Sequence, residues 1–243
     1  DFWKWSISNK EEFWTATVLN LGVKQAQEFT SIVDISKGVE NAEWLKNAKL
    51  NIVDSCFQNA ENATVLVYQE AGKQLQKVSQ KELLGLVNKI ANGLVNLGLK
   101  VGDKIAIDMP MTLEAVAIYL AGIKAGMPIV TPNEIAIRLK ITKPKVIFTQ
   151  DVLHRAGKEI PLYSKVIEAR APKAIVLKTS EMQKNLRKED IYWSTFLSDN
   201  NKFETVIQKP SAIITILFSS GTTGEPKAIP WTHTTPIKGA SDG

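Results

Sequence analysis

Seven apolar or β-branched residues, Ala212 to Phe218 (AIITILF), run straight into Ser219-Ser220-Gly221-Thr222-Thr223-Gly224-Glu225-Pro226-Lys227. A strand without polar alternation has no wet face, so this one belongs inside a sheet covered on both sides. The string that follows carries no bulky side chain from Ser219 to Gly224. Its two glycines permit positive φ and close backbone approach. Successive N–H groups in such a turn form an anion nest, and four hydroxyls add donors. Lys227 adds a compact positive charge, and Pro226 restricts the backbone just before it. A polyphosphate suits this chemistry. The string is not a Walker A loop, because only two residues separate Gly221 from Gly224 and Ala228 stands where Ser or Thr would hold magnesium. The bland alternative is a Ser/Gly-rich linker or a plain turn. A linker does not usually leave a seven-residue core strand and end in Pro-Lys.

Upstream, strands and helices alternate. Thr64 to Glu70 and Gln74 to Val78, joined by Ala71-Gly72-Lys73, read as a β-hairpin. Ser79-Gln80-Lys81-Glu82 has capping-box spacing. Leu83, Leu84, Val87, Ile90, Ala91, Leu94 and Val95 then recur at three and four until Gly98. Lys104 to Met109 is a short strand ended by Pro110. Thr112 caps a second helix to about Ala125, apolar nearly all round and so buried on more than one side. Ile129–Val130, Lys145–Thr149 and Lys173–Leu177 are further strands, and Glu134–Lys140 a short helix. This alternation predicts an α/β fold, a mostly parallel sheet flanked by helices with an N-terminal β-hairpin. The charge run Glu181 to Asp190 predicts solvated surface.

With 243 residues, the chain is long enough to bury a core without staples. One cysteine, Cys56, excludes an internal disulfide, points to a reducing intracellular compartment, and reads as a small buried hydrophobe. No Cys/His spacing suits a structural zinc. The net charge of +5 is spread over scattered lysines, which suits anionic small ligands and gives no specific pointer to nucleic acid. The longest apolar stretch, Ala115 to Ile123, falls short of the ~20 residues that span a membrane. Four of the six tryptophans (Trp3, Trp5, Trp14, Trp44) lie in the first fifty residues. That divides the chain into a Trp-rich segment, 1–50, packing on the main domain, 51–243; a partner-binding surface is the alternative use of those rings.

The nine-residue string resembles the signature loop of the AMP-forming synthetases: acyl-CoA synthetases, luciferases and peptide-synthetase adenylation domains. Val78 to Asp103 and Met109 to Gly126 resemble the family's neighbouring helical segments, and the Trp-rich start resembles acetyl-CoA-synthetase-like members. Residues 228–233 match the stretch after the loop, where a Thr-His pair is frequent. Plant peroxisomal acyl-activating enzymes are the nearest resemblance, with the centre, 151–205, the weakest part. The resemblance implies the incomplete N-terminal domain of an ATP-dependent carboxylic acid–CoA ligase. Ser219, Ser220, Gly221, Thr222, Thr223, Gly224 and Lys227 would bind the β- and γ-phosphates of ATP, with Thr222 and Lys227 as catalytic residues. Magnesium would arrive with ATP, CoA would be the second substrate, and the compartment would be peroxisomal. Ser241-Asp242-Gly243 is no peroxisomal signal.

The departures set the remaining expectations. Ala228 stands where the family usually has Gly, and the segment from Gly126 to Glu134 is shorter than the family pattern. The later adenine-binding, ribose-binding and C-terminal lysine motifs are absent before Gly243, so the isolated chain is expected to be inactive as a ligase. A truncated isoform acting by interaction and a nucleotide-binding module of another class are the alternatives. His233 is open between a place near the acyl or ATP site and a partly buried residue satisfied by backbone. Trp231 is open between the acyl pocket and a core aromatic, and the second of these is the simpler. His154, beside Arg155, is most simply a surface residue.

Overall fold

Aromatic residues in the opening segment make a chain of ring contacts before any sheet begins. The computed structural model describes residues 1–70, 72–131, 135–155, 157–180, 185–219 and 226–241. Helices α1 (Phe2–Ser8) and α2 (Lys10–Asn20) precede a small antiparallel pair, β1 (Ser31–Asp34) and β2 (Glu43–Lys46). Edge-to-face contacts link Phe13 to Trp14 and Trp14 to Trp44, with ring centres 5.1 and 5.4 Å apart. Val18, Ile32, Leu45 and Leu50 are buried in the same core as the main sheet's helices. Phe2 and Trp3, by contrast, are 72% and 64% exposed.

After a 3-10 turn at Ile52–Cys56 comes the expected hairpin, β3 (Thr64–Tyr68) and β4 (Gln76–Ser79), antiparallel and apart from the main sheet. Helix α3 (Gln80–Asn96) opens on a complete capping box. The Ser79 hydroxyl accepts from the Glu82 N–H at 3.2 Å, and the Glu82 carboxylate accepts from the Ser79 N–H at 2.8 Å. A cap of this kind is worth about 1 kcal/mol. Strand β5 (Ile105–Asp108) leads to α4 (Leu113–Lys124), capped by the Thr112 hydroxyl. Gly122 lets α4 lie on the sheet: a Cβ there would come within 2.3 Å of the Ile129 side chain and 2.8 Å of Ile105.

Then follow β6 (Ile129–Val130), α5 (Ile135–Thr142) and β7 (Val146–Gln150). A surface hairpin, β8 (Leu153–Arg155) and β9 (Lys158–Ile160), carries exposed His154. Next come α6 (Leu162–Glu168), β10 (Lys173–Leu177), β11 (Ile191–Tyr192) and α7 (Trp193–Phe196). The chain finishes with β12 (Ile213–Phe218), β13 (Ala228–Thr232) and α8 (Thr235–Ser241).

Seven strands form one sheet in the order β11-β10-β7-β5-β6-β12-β13. Neighbours are parallel except β13, which runs antiparallel to β12. This is the α/β, mostly parallel architecture that the alternation predicts. One face packs under α3 and α4 in the larger core; the other packs around Leu139 of α5 and Tyr163 and Val166 of α6.

Three expectations are corrected. Cys56 is exposed rather than buried, because the 3-10 turn leaves its side chain at the surface while Ile52 and Val53 point inward. Within the charge run, 181–184 lie outside the described residues, and Asp190 is buried rather than solvated. Its carboxylate accepts from the Tyr163 hydroxyl, the Ala174 N–H and the Arg187 guanidinium at 2.7 to 3.0 Å. Burial opposes its ionisation, but the Arg187 fork and the other two donors hold its pKa below the ordinary value. The strand predicted over 212–218 is internal but second from the edge. Its middle, Ile214 to Ile216, is buried on both faces, whereas Ile213 is 40% exposed.

Candidate functional site

The string 219–227 joins the two arms of a β-hairpin. Strands β12 and β13 are its arms: Phe218 pairs with Ala228, and the Ser219 N–H donates to the Lys227 carbonyl at 3.1 Å, closing the neck. Because β12 is parallel to β6, that neck lies at the C-terminal edge of the parallel strands. Ligands of open α/β sheets bind at this edge, where the loops leave the strands. Ser219 is half-buried and Lys227 exposed, its ammonium free to meet solvent or an anion. Ser220, Gly221, Thr222, Thr223 and Gly224 lie outside the described residues.

Further polar groups gather along the same edge. Asp108 ends β5, and one of its carboxylate oxygens is buried without a hydrogen-bond partner. Burial pushes its pKa up to about 6, against the pull of the Lys165 charge. It borders an apolar cavity of about 440 Å³ lined also by Ile107, Met109, Tyr119 and Thr131. Asp151, just past the end of β7, is the opposite case. Its carboxylate accepts from the N–H and hydroxyl groups of Thr179 and Ser180, which tie the ends of β7 and β10 together. On the α5 face, the Arg138 guanidinium lies over the Phe218 ring, 4.9 Å from its centre.

His233 and Trp231 lie elsewhere. Strand β13 leads away from the neck over five residues, about 17 Å of extended chain. His233 follows at the far end, where Thr232 pairs with Ile213. It is fully buried. Its Nδ1 accepts from the Ile52 N–H at 3.2 Å, which places the ring proton on Nε2, 3.2 Å from the Gln208 side-chain oxygen. Burial lowers its pKa to about 4. Nearby, the Asn51 amide donates to the carbonyls of Ile123 and Val206. The structure therefore does not bring His233 together with the loop; it places the ring in a satisfied, neutral structural cradle. Trp231 is 39% exposed on the edge strand, so the core-aromatic expectation is corrected: β13 has no neighbour beyond it to bury the ring.

Sequence reasoning passed over Asp108, Arg138 and Asp190. Asp108 had a visible signal, a lone acid inside KIAIDM that ends a core strand. Asp190 had none, since it ends a charged run that reads as solvated surface, and Arg138, between Ile137 and Leu139 in a short helix, carried nothing to mark its place against Phe218.

Comparison with known proteins follows from this geometry. A family model for the acetyl-coenzyme A synthetase N-terminus matches residues 1–56. The model for AMP-binding enzymes matches residues 53–242. The chain belongs to the AMP-binding enzyme family. Its relatives there are plant acyl-activating enzymes and acyl-CoA synthetases. It is 39% identical to the probable acyl-activating enzyme 18, peroxisomal, of Arabidopsis thaliana, over all of this chain and 36% of that protein. It is 38% identical to hexanoyl-CoA synthase of Cannabis sativa, again over all of this chain and 37% of that protein. In fold, it superposes on acetoacetyl-CoA synthetase from Streptomyces lividans with a TM-score of 0.86 and 23% identity, covering 95% of this chain and 37% of that one. The family member described here thus spans about a third of the length of the relatives it matches.

Proposed function

We propose that the chain belongs to an ATP-dependent carboxylic acid–CoA ligase and that residues 219–227 hold the β- and γ-phosphates of ATP. In the first half-reaction a substrate carboxylate oxygen attacks the α-phosphorus. The bond to the bridging oxygen breaks, and pyrophosphate leaves behind an acyl-AMP. In the second, the CoA thiol attacks the acyl carbon and AMP departs. Such chemistry runs on positioning and charge stabilisation. Gly221, Thr222, Thr223 and Gly224 cradle the phosphates, Ser219 and Ser220 support the entrance, and Lys227 balances charge. Among the described residues, no group of three His, Cys, Asp or Glu could hold a metal ion. On this reading magnesium would come bound to the phosphates of ATP, where it would supply charge neutralisation. The same proposal takes 1–50 as a packing segment and 51–243 as part of the adenylation domain. It takes the compartment as peroxisomal, after two relatives whose names carry that word. Among the described residues no helix is long and apolar enough to cross a membrane.

The observation that supports this reading most is the neck itself. It holds a Ser/Thr/Gly/Lys string at the C-terminal end of an internal parallel strand. The test is pyrophosphate exchange with a panel of carboxylic acids, in a form of the protein extended to its relatives' length. Lys227→Ala and Thr222→Val each remove one phosphate-facing donor, a loss of about 2–4 kcal/mol in the transition state. Wild-type exchange in both variants would overturn the assignment.

A further inference from the structure

Among the described residues, Arg138 is a buried cation without an anion. The residue is only 8% exposed, and its Nε is buried and donates to nothing. Among the described residues no carboxylate lies within ion-pair distance of it. A buried charge persists where something repays its desolvation. The Phe218 ring, 4.9 Å from the guanidinium carbon, repays part of it. Stacking, however, uses the guanidinium face and leaves the in-plane Nε–H without a partner. A purely structural cover for Phe218 would need no charge, since a methionine or leucine packs against a ring at lower desolvation cost. Its chain neighbours, Ile137 and Leu139, are apolar.

Its position gives that donor an address. Phe218 is the last residue of β12, and Ser219 after it forms the neck with Lys227. The guanidinium thus lies beside the neck on the α5 face of the sheet. We propose that Arg138 is an anion-anchoring residue that forks onto a phosphate group held at the β12–β13 hairpin. The inference rests on the polyphosphate reading of that hairpin. A phosphate is favoured over the substrate carboxylate because the adjoining string supplies hydroxyl and N–H donors together with Lys227. Guanidinium also meets phosphate oxygens with two parallel N–H bonds.

The experiment uses ¹⁵N-labelled protein and inorganic pyrophosphate. The sequence has four arginines, so the Arg138 Nε–H signal is assigned by its loss in Arg138→Lys. Adding pyrophosphate to the wild type should move that signal. Arg138→Met should weaken pyrophosphate binding about ten- to a hundredfold, the size of one charge-assisted hydrogen bond. Arg138→Lys keeps the charge but not the fork; it should fall between the two and retain the wild-type melting temperature, so a Met variant that fails to fold does not end the test. Lys227→Ala runs in parallel. Weaker binding in Lys227→Ala with an unmoved Arg138 signal would overturn the inference and leave the phosphate-loop reading standing. No pyrophosphate binding by the wild type would remove both. A signal that moves with hexanoate and not with pyrophosphate would give Arg138 to the carboxylate and overturn the inference.

Discussion

Acidification should weaken the fold by about 3 kcal/mol through His233 alone. The ring is held neutral with a pKa of about 4, against an unperturbed value of ~6.5. Each unit of that depression is worth about 1.36 kcal/mol. The unfolded chain takes up a proton below pH ~6.5, whereas the folded chain resists until about pH 4. The contribution is therefore complete above pH ~6.5 and is lost as pH falls through about 4. The cause is visible in the cradle. Nδ1 accepts from the Ile52 N–H, so a proton on Nδ1 would set donor against donor and place a charge where burial disfavours it.

The assay is urea unfolding at pH 7, 5.5 and 4.5 for the wild type and His233→Gln. The glutamine carbonyl can accept from Ile52 and does not titrate. Its stability at pH 7 should drop by about 1–2 kcal/mol through imperfect geometry, while its slope between pH 6.5 and 4.5 should flatten. The two histidines also give two ring signals by NMR, and exposed His154 serves as the internal comparison. A His233 signal that titrates near ~6.5, or a variant with the wild-type slope, would refute the reasoning.

Asp108 works in the opposite direction. Its folded pKa, about 6, lies above the free value of 3.8, so its contribution is present below pH 3.8 and lost as pH rises through 6. Asp108→Asn should accordingly raise stability at pH 7 by about 1 kcal/mol, discounted for partial solvent access, and steepen the acid loss in the same urea series; an unchanged midpoint at pH 7 would count against it. The isolated 243-residue chain, a third of its relatives' length, should release no AMP from acetate, fatty or aromatic acids with ATP and CoA. Phosphate contacts alone leave the α-phosphate poorly placed, and an error of about 1 Å can cost ~100-fold. Steady turnover with any acid would contradict this.

Local signals carried most of the fold. Ser79 and Glu82 announced α3, Thr112 announced α4, and the β-branched runs announced β7, β10 and β12, because caps and periodicity are written within a few residues of the element they specify. The antiparallel return of β13 was less legible. Pro230 lies inside it, and only an edge position tolerates that residue. Exposure was hardest to read where a residue's neighbours misled. Cys56 follows buried Ile52 and Val53 but sits on a turn too short to cover it, and Asp190 ends a charged run yet meets Tyr163 and Arg187 in space. For the proposed site, the string 219–227 could be singled out directly because its chemistry is contiguous. Arg138 could not, since eighty residues separate it from Phe218 and only the sheet brings them together.

Buried polar groups lie at both ends of the sheet, some met and some without partners. At the N-terminal edge His233 meets Gln208 and the Ile52 N–H, and the Asn51 amide donates to the carbonyls of Ile123 and Val206, but the Gln25 side-chain oxygen, which lines the same cleft as Asn51, has no partner. At the C-terminal edge Asp108 leaves a carboxylate oxygen, Gln150 an amide oxygen and Arg138 its Nε–H without partners. Each such group costs about 1–3 kcal/mol of desolvation that nothing within the described residues returns. Asp151, on the same edge, has every oxygen met, so proximity to the loops does not by itself prevent satisfaction. A C-terminal edge that leaves donors and acceptors of both signs open, Arg138 and Asp108 among them, gives up stability locally. Stability of that kind is recovered when a ligand supplies the missing partners. On the polyphosphate reading of residues 219–227, Arg138, stacked on Phe218 at that edge, would be one of the groups that gains.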